Sequence, residues 1–144
     1  IGLKKMTKEI IEKLFKQYLI SFVDYDFVGV KACYAIPSTM ATPDQFLTLS
    51  DEISFEATFK GIFEQLKSAG MVSVAAKQAS YQKLTDGLYL ASVDWEFFTE
   101  DGTSFTDFTA FYHITIEDKQ AKILSVISHD SSQSQIIGET FNIS

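Results

Sequence analysis

The stretch LYLASVDWEFFTEDGTSFTDFTAFYHITIEDKQAKILSVISH, residues 88–129, decides the fold of this chain. Hydrophobic and polar residues alternate in three successive runs, and short turns containing Asp or Gly separate the runs. A period of two is typical of β-strands, and such turns join antiparallel neighbours. A fourth alternating run precedes this stretch across the turn Thr85-Asp86-Gly87. We therefore predict an antiparallel meander whose four strands lie at 73–83, 88–98, 104–116 and 122–129.

The residues before the meander have helical periodicity instead. Apolar residues recur every three or four positions after Thr7, which we expect to cap a first helix that ends at Val23. A second, short helix is predicted over 27–33, followed by an extended segment, 34–40, that Pro37 interrupts. A third helix is expected to begin at Thr48 or Ser50 and to end at Gly70, because glycine favours the backbone conformation that terminates helices.

Helices followed by consecutive antiparallel strands indicate an α+β fold in a single domain that spans residues 1–144. Strands of ten or more residues are longer than average and are expected to curve strongly. A strongly curved sheet with helices across its open side encloses a conical space, which is the expected site. The tail, residues 130–144, is weakly patterned, although Ile136, Ile137 and Phe141 are apolar enough to dock on the domain.

Charge and composition exclude several function classes. The net charge is −7, and all 12 basic residues are lysines. Because the chain lacks arginine and carries a net negative charge, a nucleic-acid partner is not expected, and anionic ligands are disfavoured. The apolar runs are far shorter than the roughly 20 residues that span a bilayer, so no membrane partner is expected. Cys33 is the only cysteine, which allows no intrachain disulfide and is typical of a cytoplasmic protein.

The sequence contains no spacing of His and Cys typical of a metal site and no glycine-rich phosphate loop. We therefore expect neither a metal nor a cofactor. Cys33 is interpreted as a small core residue rather than a nucleophile.

The order of these features resembles the nuclear transport factor 2-like superfamily, which includes SnoaL-like polyketide cyclases and ketosteroid isomerases, and is most similar to bacterial members without an assigned function. The resemblance extends from Thr7 to about Asp130. It rests on the long first helix, on the meander, and on the segments Asp24-Tyr25-Asp26, Tyr34-Ala35-Ile36-Pro37, Leu66-Lys67-Ser68-Ala69-Gly70 and Asp101-Gly102. It implies a cystatin-like cone, with the helices packed on a strongly curved antiparallel sheet, and a homodimer.

The resemblance also allows the isomerase pattern to be carried over residue by residue. Tyr18 lies eight residues before Asp26, which is the spacing of the oxyanion-binding tyrosine of the isomerases, and Tyr112 falls at their second donor. Their general base is an Asp directly before a Pro, and Ile36 holds that position here. An aliphatic side chain cannot take a proton, so this difference argues against the isomerase reaction.

Strand alternation predicts which side chains face the cavity. On the third meander strand, Phe108, Ala110, Tyr112 and Ile114 share the more apolar face, which we assign inward. Together with the helices, this predicts a ligand cavity lined by Tyr18, Tyr34, Trp95, Phe108 and Tyr112. The opposite, outer face carries His113 near Asp107 together with Phe105 and Phe111. Exposed aromatic residues usually mark an interface, so a homodimer through the outer sheet face is expected.

Three hypotheses for function follow. The first is an apolar, aromatic-lined cavity that binds a small neutral or weakly polar molecule. The second is a lyase or isomerase of the cyclase or ketosteroid isomerase type that acts next to a carbonyl. In this hypothesis Tyr18 and Tyr112 are the hydrogen-bond donors. The base is His129, which is expected at the cavity rim, or else Asp130 or His113. The third is a non-catalytic dimerisation module with a collapsed cavity, in which the tyrosines are ordinary core phenols.

Overall fold

Three α-helices and seven strands form the part of the chain that the computed structural model describes, residues 2–143. The helices are α1 (Gly2–Val23), α2 (Phe27–Ala32) and α3 (Glu52–Ser68). The strands are β1 (Tyr34–Thr42), β2 (Gln45–Leu49), β3 (Met71–Thr85), β4 (Leu88–Thr99), β5 (Ser104–Glu117), β6 (Gln120–His129) and β7 (Glu139–Thr140), and a 3₁₀ turn covers Ser131–Gln133.

The strands form one sheet in the order β2-β1-β6-β5-β4-β3-β7. The predicted meander is present as β3 to β6, and each of its strands begins and ends within two residues of the predicted bounds. β1 pairs with β6 in parallel and with β2 in antiparallel orientation, so the complete sheet is mixed. The register between β1 and β6 shifts between Tyr34 and Thr39, around the cis peptide bond between Ile36 and Pro37.

Helix α1 packs along the concave side of the sheet. Its buried side chains recur at helical spacing and include Ile11, Phe15, Tyr18 and Phe22. The helix begins at Gly2, so the predicted cap at Thr7 is wrong, because the helical backbone continues through that residue. None of the helices within residues 2–143 combines the length and the apolar character that crossing a membrane requires.

Helix α3 covers the open side of the sheet and is capped by Asp51 rather than by Thr48 or Ser50. The Ser54 amide donates to Asp51 Oδ1 at 2.8 Å, and the Asp51 amide donates to Ser54 Oγ at 3.1 Å. This reciprocal pair satisfies two amides at the beginning of the helix. Thr48 lies instead in β2, a five-residue strand that the sequence did not reveal. Gly70, with a φ of 82°, follows the end of the helix as predicted.

Residues 130–143, which we call the strap, cross the outer face of the sheet and end at its far edge, beside β3. The Ser134 hydroxyl donates to Asp94 on β4, and the Ile137 amide donates to Ser80 on β3. β7 then pairs with β3, and Phe141 is buried against α1. Of the three apolar residues expected to dock, Phe141 is 5% exposed, whereas Ile136 is 57% exposed.

Candidate functional site

A cavity of about 220 Å³ lies between α1, α3 and the concave face of the sheet. It is larger than a cavity of about 150 Å³ that holds benzene and smaller than most drug-sized pockets. Most of the residues around it are apolar. They are Tyr18, Leu19, Phe22, Met40, Phe59, Ile62, Leu66, Val74, Trp95, Phe97, Thr106, Phe108, Tyr112, Val126 and Ser128.

The lining residues differ in exposure, and this gives the cavity a closed end and a mouth. Tyr18, Trp95 and Tyr112 are buried and form the closed end. Half-buried residues border the other end, namely Leu19, Met40, Ile62, Val74, Thr106, Phe108 and Ser128. A molecule that enters therefore passes aliphatic side chains, Phe108 and the hydroxyl groups of Thr106 and Ser128 first, and meets the phenols and the indole last.

The polar groups at the closed end are linked by hydrogen bonds. Trp95 Nε1–H donates to the hydroxyl of Tyr112 at 2.8 Å. The hydroxyl groups of Tyr18 and Tyr34 lie 3.0 Å apart, and either can be the donor. The rings of Tyr18 and Tyr112 pack edge to face with centroids 5.7 Å apart, which brings the two pairs together.

All three phenols are neutral at physiological pH. Burial raises the pKa of Tyr18, Tyr34 and Tyr112 well above the ordinary phenol value of 10.0, and electrostatic interactions among them raise it further. Burial also raises the pKa of the neighbouring Cys33 thiol to about 12. The closed end therefore offers O–H donors and no fixed charge.

These hydroxyl groups hold more protons than their mutual bonds can use. An indole nitrogen only donates, so Tyr112 accepts from Trp95 and directs its own proton away from the indole, toward Tyr18 or into the cavity. The bond between Tyr18 and Tyr34 uses one of their two protons. A bond between Tyr112 and Tyr18 would use one more. Because three oxygens in a chain form two bonds, at least one proton remains for an outside acceptor.

Apart from the phenols, the residues around the cavity carry no side chain that titrates. Thr106 and Ser128 contribute the remaining hydroxyl groups, and no carboxylate, imidazole or amine is among the lining residues. Across residues 2–143, no three His, Cys, Asp or Glu side chains converge in a way that could hold a metal ion. The chemistry of the cavity is therefore hydrogen-bond donation inside an apolar shell.

Four of the five residues predicted to line the cavity border it, namely Tyr18, Trp95, Phe108 and Tyr112. Tyr34 does not border it. Its ring packs behind Tyr18 and against Phe55 and Phe59, with centroids 5.3 Å from each of these two phenylalanines. Tyr34 therefore affects the cavity through its hydrogen bond to Tyr18. Whether any of these residues contacts a ligand stays a prediction.

The expected position of His129 at the cavity rim is wrong. His129 pairs with Thr109, and its ring packs against Phe111 in a tilted arrangement with centroids 5.0 Å apart, so it lies on the outer face. The adjacent Ser128 borders the cavity instead, because neighbouring residues of a strand point to opposite faces. Asp130 is exposed and caps the 3₁₀ turn at the beginning of the strap.

His113 lies on the outer face, as the alternation predicts, but it does not pair with Asp107. That carboxylate forms an ion pair with Lys77, at 3.3 Å. The three residues considered as a base are thus separated from the two phenols, because His113 and His129 occupy the opposite face of the sheet and Asp130 follows it.

Sequence reasoning missed the part of the lining that helices and β6 provide. Phe22 belongs to the apolar stripe of α1, and Phe59, Ile62 and Leu66 belong to that of α3, but helical periodicity does not distinguish a lining residue from a core residue. Val126 and Ser128 pair with Tyr112 and Ala110, so extending the alternation of β5 to β6 predicts both of them to face inward. No comparable signal identifies Met40 as a lining residue.

Comparison with known proteins gives a family and a set of folds. A family model described as NTF2-like protein (DUF6841) matches residues 8–131. No curated protein matches the sequence. An NTF2-like protein with a cystatin-like fold from Novosphingobium aromaticivorans is similar in structure, with a TM-score of 0.73 and 15% identity, over 92% of this chain and 88% of that one.

Two further solved structures are similar. An NTF2-like protein of unknown function from Shewanella oneidensis has a TM-score of 0.68 and 10% identity, and the match covers 85% of this chain and 98% of that one. A ketosteroid isomerase-like protein from Erwinia carotovora atroseptica has a TM-score of 0.66 and 12% identity, and the match covers 85% of this chain and 94% of that one. Identities this low establish a shared fold and nothing further.

Proposed function

Since the chain belongs to the NTF2-like family DUF6841, we propose that it binds a small neutral molecule with a mainly apolar body in the cavity between α1, α3 and the sheet. The observation that carries this proposal is an apolar cavity of about 220 Å³ whose closed end holds neutral hydroxyl donors. Burial of an apolar body contributes about 25 cal/mol per Å², and the donors orient its polar end.

The lining residues favour binding over the alternative reaction next to a carbonyl. Tyr18 and Tyr112 are suited to stabilise an oxyanion, but abstraction of a proton also needs a base within reach. Ile36 occupies the position of the isomerase base, and His129 lies on the outer face. The alternative of a dimerisation module with a collapsed cavity is disfavoured by the volume of the cavity.

We also propose self-association through the part of the outer face that the strap leaves uncovered. Ile127 is 50% exposed on that face and pairs with Phe111 across β5 and β6. An exposed apolar side chain beside an aromatic ring is typical of an interface between copies. We propose a cytoplasmic location as well, because Cys33 is the only cysteine and no intrachain disulfide can form.

Native mass spectrometry of the freshly purified protein tests the binding proposal, followed by denaturation and analysis of any released molecule. We expect an additional mass that denaturation removes. Where nothing is retained, an NMR titration with ethylbenzene tests the same cavity. Absence of both a retained molecule and ethylbenzene-dependent shifts at the lining residues would contradict the proposal.

Two neighbouring residues of β6 provide a matched pair of variants. Val126→Phe places a ring inside the cavity, whereas Ile127→Phe places the same ring on the outer face. We expect Val126→Phe to lose the bound molecule and Ile127→Phe to retain it. Retention of the molecule by Val126→Phe would mean that the molecule binds outside the cavity.

A further inference from the structure

We propose that Trp95 determines the ligand preference of the cavity by positioning the hydroxyl of Tyr112 as a donor. The cavity then selects molecules with a hydrogen-bond acceptor at the polar end, such as ketones, aldehydes and esters. This inference rests on the proposed function and adds to it the chemical class of the ligand and the residue that sets it.

The direction of one hydrogen bond carries the inference. Trp95 Nε1–H lies 2.8 Å from the Tyr112 oxygen, and both side chains are buried, at 2% and 1% exposure. An indole has one N–H and no acceptor, so this bond has a single possible direction. The hydroxyl of Tyr112 therefore accepts on the side of Trp95, and its proton is directed elsewhere.

The second phenol at the closed end has no such fixed direction. Tyr18 and Tyr34 can exchange the roles of donor and acceptor across their 3.0 Å contact. When a ligand presents an acceptor, Tyr34 can donate to Tyr18, and Tyr18 can donate to the ligand. Tyr112 is the phenol bordering the cavity whose role is set by the protein alone, and Trp95 sets it.

The ligand class follows from this polarity. An acceptor on the ligand receives the proton that Tyr112 otherwise directs toward Tyr18, whereas a group that only donates competes with Trp95 for the Tyr112 oxygen. A charged ligand would lose its hydration in a cavity whose lining residues supply no opposite charge. The preferred ligand is therefore neutral and carries an acceptor.

A wall residue would behave differently from a positioning residue. If Trp95 only filled space, its replacement would change the affinity for every ligand of one shape in the same proportion. If Trp95 positions Tyr112, its replacement affects ligands with an acceptor selectively. The ratio of affinities for two ligands of matched shape separates these roles.

The chain offers a sharp test because Trp95 is its only tryptophan. Biosynthetic replacement of tryptophan by benzothienylalanine keeps a bicyclic ring at this position and replaces the N–H by a sulfur atom that cannot donate a hydrogen bond. The probes are acetophenone, which carries a carbonyl, and ethylbenzene, which has nearly the same shape without one. NMR titration gives both dissociation constants for the unmodified and the substituted protein.

We expect the preference for acetophenone over ethylbenzene to fall about three- to tenfold on substitution, which is the effect of one neutral hydrogen bond. The cost of dehydrating the carbonyl is the same for both proteins and cancels in this comparison.

Each outcome separates the inference from the proposed function. Binding of both probes with an unchanged preference overturns the role of Trp95 and leaves the binding function in place. Failure of the unmodified protein to bind either probe overturns this inference, and it overturns the proposed function only when native mass spectrometry also finds no retained molecule. If the protein that contains benzothienylalanine does not fold, the Trp95→Phe variant takes its place. Cooperative unfolding of this variant shows that it is folded.

Discussion

The hydroxyl of Ser134 donates a 2.6 Å hydrogen bond to Oδ2 of Asp94, a residue 40 positions earlier in the chain. Strand alternation predicts Asp94 on the outer face of the sheet, yet it is only 9% exposed because the strap covers it. The other oxygen of the carboxylate accepts from Thr109 at 2.7 Å. The strap is thus attached to the middle of the sheet through a hydrogen bond to a buried carboxylate, before β7 and Phe141 attach it at the edge.

Removal of the Ser134 hydroxyl should therefore destabilise the protein. Ser134→Ala leaves a buried carboxylate oxygen without this donor, and we expect a loss of about 1.5–3 kcal/mol in the free energy of unfolding. Urea unfolding measures this loss. Ser131→Ala is the control, since among residues 2–143 no hydrogen bond involves its hydroxyl, and we expect a change within about 0.5 kcal/mol. Equal effects of the two substitutions would contradict a role for this contact.

Phe141 should contribute more than any other side chain of the strap. Its ring packs on Phe15 and Tyr81, with centroids 5.7 Å and 5.9 Å away, at the side of α1 that faces the sheet. Phe141→Ala should cost about 3–5 kcal/mol and accelerate amide hydrogen exchange throughout the strap. Ile136→Ala, at a position 57% exposed, should have little effect. Unchanged exchange in Phe141→Ala would show that the polar contacts hold the strap alone.

The meander was predictable because long alternating strands repeat one physical signal many times. Each residue of β4 and β5 points to the face opposite its neighbour, and the turns at Gly87 and Gly102 both have a positive φ that glycine readily adopts. The same alternation placed Trp95 and Tyr112 on one face. Trp95 lies directly opposite Phe108, and Tyr112 lies directly opposite Ala91. The indole–phenol hydrogen bond therefore joins two side chains on the same face whose positions in the register differ by four residues.

The strap, β2 and the place of Tyr34 could not be predicted, because no repeated pattern marks them. The strap is held by single contacts of residues such as Ser134 and Phe141, and its sequence has no period. β2 has five residues and follows the irregular stretch around Pro37 and Pro43. Tyr34 lies behind Tyr18 because of how α3 packs on β1, which is a tertiary relationship that local sequence does not encode.

Self-association should depend on Ile127. An acidic side chain in an apolar interface would lose its hydration without a partner, so Ile127→Glu should convert a dimer into a monomer. Sedimentation velocity measures the mass in solution. Leu84→Glu is a matched control, because Leu84 is 53% exposed at the end of β3, away from the proposed interface. A monomeric unmodified protein, or a dimer that persists in Ile127→Glu, would contradict the proposed outer-face interface.

The buried phenols should make stability fall at alkaline pH. Because the pKa values of Tyr18, Tyr34 and Tyr112 are raised well above 10.0 in the folded protein, the unfolded chain releases these protons first. Below pH 10 neither state is ionised at these groups and their contribution to stability is complete. As pH rises through and beyond 10, each phenol lowers the free energy of unfolding by about 1.4 kcal/mol per pH unit until its folded form ionises.

Urea unfolding below and above pH 10 measures this slope, and absorbance of the ionised phenols measures their titration directly. The folded protein should titrate at higher pH than the urea-unfolded chain. Tyr34→Phe should reduce the slope of the free energy of unfolding against pH by the contribution of one phenol. Tyr18 and Tyr112 should still contribute, since only the hydroxyl of residue 34 is lost. If all phenols of the folded protein titrated together with those of the unfolded chain, the closed end of the cavity would be open to water, and the apolar site proposed for ligand binding would not exist in solution.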